Sequence, residues 1–292
     1  MENLKKSRTA SFIVVLLVYL LSIIFAVDIF AALSLPLWLE LLVADVAATL
    51  LTFVFSLLLK NASVYDPYWS VQPLVILAGL AIMGCEITLP RLLILIAVGL
   101  WGIRLTANWA YTFHGLCHQD WRYTMLHEKT GRLYPLVNLF GIHMVPTLIV
   151  WGCTLPAVYI LQWEATWNPG SVVFFILCIG AVLLQGTADI QMHRFRKAGR
   201  GGFIRAGLWK HSRHPNYLGE ILMWWGVALS CVCLFPNAWY LCAGALANTL
   251  LFLTVSIPMA DKRQARKEGF AEYKAQTRML LPIPVGAKKR VE

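Results

Sequence analysis

Residues 11–33 read SFIVVLLVYLLSIIFAVDIFAAL, an apolar run with one charge, Asp28. About 20 such residues at 1.5 Å rise cross the hydrocarbon core of a bilayer, so the stretch predicts a transmembrane helix. It is longer than the ~7–15-residue core of a cleaved leader, and no small-x-small site clearly follows. Lys5, Lys6 and Arg8 therefore stand ahead of a retained first helix. Further apolar runs follow at 37–59, 64–84, 90–113, 133–161, 170–190, 217–235 and 238–257. The run at 64–84 is the weakest, because Asp66, Pro67 and Pro73 interrupt its start. The run at 133–161 carries Pro146 and Pro156, which predict a tilt, a kink or an interfacial beginning. The expected fold is an all-α, polytopic membrane helix bundle of about eight transmembrane helices.

Composition excludes a soluble domain. Hydrophobic residues make up 59% of the 292 positions and charged residues only 14%, against about a quarter charged in soluble proteins. Placing the N-terminus in the cytoplasm puts every Lys and Arg except Arg91 and Arg104 in cytoplasmic segments. Both termini are then expected to be cytoplasmic. The net charge of +10 is accordingly a topology signal, suited to anionic lipid headgroups and not to nucleic acid. The cysteines form no CxxC pair and imply no disulfide framework.

An ionisable residue inside a transmembrane helix costs several kcal/mol unless paired or hydrated, which makes it a functional candidate. Asp66, Arg104, Asn108, Gln185, Asp189 and Glu220 fall near the cytoplasmic ends of the runs. Asp28, Glu40 and Asp45 are expected at interfacial positions facing water. Gln185, Asp189 and His193 share one helical face, either as a site or as a stripe that pairs with neighbouring helices. The segment YDPYWS at 65–70 reads equally as a site or as an aromatic belt. His114 and His118 have metal-ligand spacing, but without a third ligand no metal site is assigned.

The richest segment is 189–220, DIQMHRFRKAGRGGFIRAGLWKHSRHPNYLGE. Its Lys and Arg supply phosphate-binding charge, and its glycines let backbone amides approach a ligand closely. Arg213 can fork onto a phosphate or carboxylate, and Asn216, Tyr217 and Glu220 offer hydrogen bonds at a helix start set by Pro215. Gly207-Leu208-Trp209 with SRHPNYLGE at 212–220 resembles the signature of the steroid 5-alpha-reductase C-terminal domain family. That group is related to the sterol C14 and C7 reductases and, more distantly, to the isoprenylcysteine carboxyl methyltransferases. The likeness is to its uncharacterised membrane branch, with Asp66 and Trp69, Arg104, DWRY at 120–123 and Asp189-x-Gln191 in order.

The resemblance implies two domains: an N-terminal helical pair at 1–63, and a reductase-like membrane domain at 64–292 whose half from about 185 binds NADPH. It implies a cofactor pocket lined by Asp189, Arg196, Lys197, Arg213, His214, Asn216, Tyr217 and Glu220, with Tyr273 on a last helix that closes over the dinucleotide. The chain departs from the family in two places: Trp101 stands where a substrate-binding tyrosine is sought, and Gln185 where an acid is common. Hydride transfer to an electron-poor alkene requires a donor for the developing oxygen charge. Arg104, Tyr123 and Asp66 are the catalytic candidates, although Arg104 reads equally as a structural ion pair with Asp66 or Asp120. The implied function is NADPH-dependent reduction of an enone-type double bond in a steroid-like or other lipid, in a bacterial inner membrane or the endoplasmic reticulum. The alternatives are an S-adenosylmethionine-dependent methyltransferase and a non-catalytic lipid-binding membrane protein.

Overall fold

The structure, a computed structural model, describes residues 5–84, 86–199 and 201–282. Arg200 of the basic loop and the terminal cations Lys288, Lys289 and Arg290 lie outside the described residues. The described chain is helical throughout, without a strand. Its longer helices are α1 (Arg8–Ala32), α2 (Leu37–Leu58), α3 (Tyr68–Ile82), α4 (Leu89–Thr112), α5 (Trp121–Thr130), α6 (Val145–Gln162), α7 (Pro169–Lys197), α8 (Pro215–Leu234), α9 (Cys242–Leu251), α10 (Ile257–Gln264) and α11 (Phe270–Gln276).

Seven helical runs among the described residues are long and apolar enough to cross a bilayer. The protein is an integral, multi-pass membrane protein. The expected third crossing is the exception: α3 has 15 residues, about 22 Å at 1.5 Å per residue, short of a ~30 Å core. Its N-terminus starts only after Pro67, so Asp66 belongs to the connector and not to the helix.

Local chemistry explains most boundaries. Ser7 caps α1 by accepting from the Ala10 amide, and Asn168 with Ser171 forms a capping box at α7. The expected long run at 133–161 is the end of a continuous helical stretch, Trp121–Gln162. Its turn widens to π geometry at Asn138–Met144, just before Pro146. A second π turn, Phe252–Ser256, precedes Pro258. In both places the wide turn accommodates a residue that lacks an amide proton and crowds the preceding carbonyl.

The chain forms two compact units, 1–164 and 165–292. The helical pair α1–α2 therefore belongs with the helices up to Gln162, and the expected cofactor half lies within the second unit. In the first unit, side-chain hydrogen bonds stitch helices together: Thr49 with Thr147 (3.0 Å), Tyr65 with Thr147 (2.8 Å) and Ser70 with Thr106 (2.8 Å). Each is worth about 0.6 kcal/mol in a membrane setting. In the second unit, α7 and α8 meet at Gly219 and Gly226. A Cβ at Gly219 would stand 2.8 Å from the Ala181 carbonyl oxygen, so only glycine permits this approach.

Candidate functional site

In the second unit the SRHPNYLGE block opens α8. Pro215 occupies the first turn, where a missing amide proton costs nothing, and His214 precedes it at the N-cap with φ −139° and ψ 61°. Arg213 is bonded within the chain. Its guanidinium donates to Asp261 Oδ2 (3.0 Å) and Oδ1 (3.4 Å) on α10, and to the Thr277 carbonyl (2.6 Å) beyond α11. His214 Nε2 lies 3.0 Å from Asp261 Oδ1, and Lys274 Nζ lies 3.4 Å from Oδ2. Arg213 is 9% exposed and His214 6%. The fork read as a phosphate clamp is thus filled by a carboxylate of the chain itself, and the motif ties α8 to the C-terminal helices.

Around this cluster the other expected residues separate. Tyr217 stacks on His214 with ring centroids 5.3 Å apart, and Glu220 accepts from the Trp224 indole at 2.8 Å. Tyr273 donates its phenol to the Trp209 carbonyl, and burial raises that phenol to about 12. Asn216 is half-buried in the first turn of α8. Arg196 and Lys197 are exposed at the end of α7, and Asp189 is half-buried two turns earlier. Gln191 accepts from the Leu208 amide (2.9 Å) and so holds the GLW turn, in which Gly207 has φ +61°.

A cavity of about 620 Å³ opens in this unit between Gly201, Gly202, Phe203 and Arg205 on the loop and Lys267, Glu268 and Gly269 beyond α10. Arg205 lies over the Phe203 ring, 4.4 Å from its centroid, and donates to the Gly269 carbonyl at 3.2 Å. Lys267 donates to the Gly202 carbonyl at 2.6 Å. Burial, then the charges of Arg263 and Arg196, lower the Lys267 pKa. Both cations keep further N–H donors, which suits an anionic group in this cavity. Glu268 lines the same space, and its carboxylate suits hydroxyl groups.

In the first unit Asp66 and Tyr123, two of the three catalytic candidates, meet. The Tyr123 phenol donates to Asp66 Oδ1 at 2.7 Å. Asp120 caps α5 by accepting from the Arg122 amide (2.8 Å) and pairs with the Arg122 guanidinium at 2.8 and 3.1 Å. That cap sets the helix start and aims Tyr123 inward. Burial raises the Asp66 carboxyl to about 6, against the lowering hydrogen bond from Tyr123. Arg104 stands half-buried two turns before the end of α4.

Sequence reasoning missed two acids. Asp261 is the partner of the RHP block; its only signal was an acid at the end of the last apolar run. Asp45 was expected to face interfacial water. It is instead buried, 6% exposed, two turns inside α2. It accepts from the Tyr68 phenol (2.9 Å) and from the Gln72 amide. Tyr68 and Gln72 are one turn apart on α3 and present a polar face to α2, which lowers the cost of burying the Asp45 carboxyl.

A family model described as a protein of unknown function, DUF1295, matches residues 52–277. The chain belongs to that family. The family gathers uncharacterised proteins and includes steroid 5-alpha-reductase-like members. The match holds Asp66, Arg104, Tyr123, the basic loop, the RHP block and Tyr273, and leaves Asp45 outside. An uncharacterised protein of Schizosaccharomyces pombe is 27% identical over 195 residues, covering 56% of this chain and 56% of the relative. The chain thus spans little more than half of that curated relative's length. No solved structure matches.

Proposed function

We propose that this member of the DUF1295 family is a membrane-embedded, NADPH-dependent reductase of a carbon–carbon double bond in an enone-type lipid, with both termini cytoplasmic. The observation that carries the reading is the cationic, glycine-lined cavity of the second unit. Arg205 and Lys267 suit phosphate groups, Glu268 suits ribose hydroxyls, and the cavity volume falls in the ~300–1,000 Å³ range of cofactor sites. Bound there, NADPH supplies a hydride. The resemblance of the GLW and SRHPNYLGE segments to the steroid 5-alpha-reductase C-terminal domain family, stated above, supports the same reading.

The chain's own residues supply the proton. Tyr123 is held on a carboxyl whose pKa lies near 6, so Asp66 exists in both protonation states near neutral pH. Protonated, Asp66 donates to the phenol oxygen and frees the Tyr123 proton for an oxygen that gains charge. Ionised, it takes the hydrogen bond back and is ready for the next proton. One such donor in a dry site is worth about 3 kcal/mol of barrier. Arg104 is retained as a second candidate donor.

Thermal unfolding of the purified protein with NADPH, NADH and S-adenosylmethionine tests the reading, alongside Arg205→Ala and Lys267→Ala. A ligand at about 100 times its Kd stabilises the fold by roughly 2.7 kcal/mol. Stabilisation by NADPH, reduced in both variants, is the expected result. A response to S-adenosylmethionine alone moves the protein to the methyltransferases. No response to any of the three leaves a non-catalytic lipid-binding protein.

A further inference from the structure

The first unit encloses a second cavity, of about 320 Å³, bounded by α1, α2 and α3. Its walls are apolar, among them Ile23, Phe30, Leu41 and Val75. Its polar lining is Tyr19, whose phenol donates to the Val64 carbonyl at 3.0 Å, and a pole joined by hydrogen bonds at Asp45, Tyr68 and Gln72, with Ser22 on α1. Val27, Ile82 and Met83 line the same space and are exposed, so the mouth lies where α1 and α3 end. Gln72 is ten positions from Ile82 on α3, which sets the polar pole about 15 Å below that mouth.

The hydrogen bonds at this pole are nearly all spent. The Tyr68 phenol donates to Asp45 Oδ1, and the Gln72 amide nitrogen donates to Asp45 Oδ2. Ser22 shares its hydroxyl with Thr52 at 3.1 Å, while Thr52 donates to the Ala48 carbonyl. Gln72 Oε1 has no hydrogen-bond partner, although Gln72 is only 5% exposed. An orphaned buried acceptor costs about 1–3 kcal/mol, and a donor arriving from a ligand recovers it. Turning the amide over is no remedy, since its oxygen would then face the Asp45 carboxyl.

We infer that this cavity is a binding site for an uncharged amphiphile, an apolar chain or ring system that ends in a hydroxyl donating to Gln72 Oε1. A ketone or an ether brings only acceptors to a pole that lacks one donor. An ammonium brings a charge into an apolar channel, which is far more costly to desolvate than a hydroxyl. Gly79 supplies an independent sign of room: it lines the cavity, and a Cβ built on it meets nothing within 4 Å. The site needs no cofactor and stands apart from the reductase reading.

Binding of radiolabelled dodecanol to the protein in phosphatidylcholine nanodiscs, with empty nanodiscs subtracted, tests the assignment. We expect saturable binding, with dodecanol competing about tenfold better than its methyl ether, the effect of one buried hydrogen bond. Gln72→Leu should abolish that discrimination. Gly79→Leu should fill the cavity and remove binding while leaving the melting temperature equal or higher, because helical glycine is replaced where space is free. Absence of saturable binding in the wild type, equal competition by the ether, or tighter binding of dodecylamine would each overturn the assignment. None of these outcomes bears on NADPH binding, which is read separately.

Discussion

Asp261 in the second unit and Asp66 in the first are both carboxylates read against basic and aromatic neighbours, yet their surroundings set them to different work. Asp261 meets Arg213, His214 and Lys274 within 3.0–3.4 Å. Asp66 takes its hydrogen bond from a neutral phenol at 2.7 Å. A carboxylate paired with Arg213 and Lys274 stays ionised and acts as a fixed joint between helices. A carboxyl held by a phenol and raised by burial changes its protonation near neutral pH, which a joint does not need and proton transfer does. Asp45 is of the second kind in its bonding partners, with a phenol and an amide, and it borders a cavity.

The largest expected effect separates these roles at Arg213. If Asp261 is a joint, Arg213→Ala leaves a buried carboxylate without its main partner and costs about 3–5 kcal/mol in unfolding free energy. Denaturant unfolding of the detergent-solubilised protein measures it. An unchanged midpoint with loss of NADPH binding would make Arg213 a ligand contact after all.

Next comes Tyr123→Phe, which removes the phenol proton and little volume. Turnover of an enone lipid should fall about 10²–10³-fold, while stability moves by under about 1 kcal/mol. Unfolding with turnover intact would turn the Asp66–Tyr123 pair into a second joint.

A smaller effect follows from pH. Between about pH 4 and 6 the folded protein keeps a proton on Asp66 that the unfolded chain has released. Folding stability therefore falls as pH rises through that window, by roughly 2–3 kcal/mol, and is level above it. Unfolding midpoints measured from pH 4 to 7.5 should show this slope, and Asp66→Asn should flatten it. A slope of opposite sign would mean that Asp66 is ion-paired like Asp261.

The smallest effect concerns the loop that leads to the RHP block. Gly207 has φ +61°, and a Cβ there would crowd the Gln191 side chain that holds the Leu208 amide. Gly207→Ala should cost about 1–2 kcal/mol, read as a shift in melting temperature. No shift would show that the loop contributes nothing to the joint it precedes.

Much of the architecture was legible because membrane helices announce themselves over one continuous window. The runs at 11–33 and 37–59 become α1 and α2 nearly residue for residue, since every backbone group in lipid must be bonded within its own segment. The run at 64–84 was read too long because an apolar window does not register that Pro67 delays the first helical turn to Tyr68. The π turn before Pro146 was legible only as a proline that predicts a tilt or kink, since hydropathy carries no register.

The candidate sites were legible as residue types and opaque as partnerships. Composition and order alone determined an all-helical membrane protein, its cationic glycine-rich loop, and the acids, phenols and Arg whose presence in apolar runs demands an account. The tertiary structure decided who satisfies whom: Arg213 with Asp261, 48 positions apart, Tyr123 with Asp66, 57 apart, and Gln72 with Asp45, 27 apart. A buried polar group is defined by the partner that meets its hydrogen-bonding capacity. In these three pairs that partner stands on another element, at a separation no local pattern encodes.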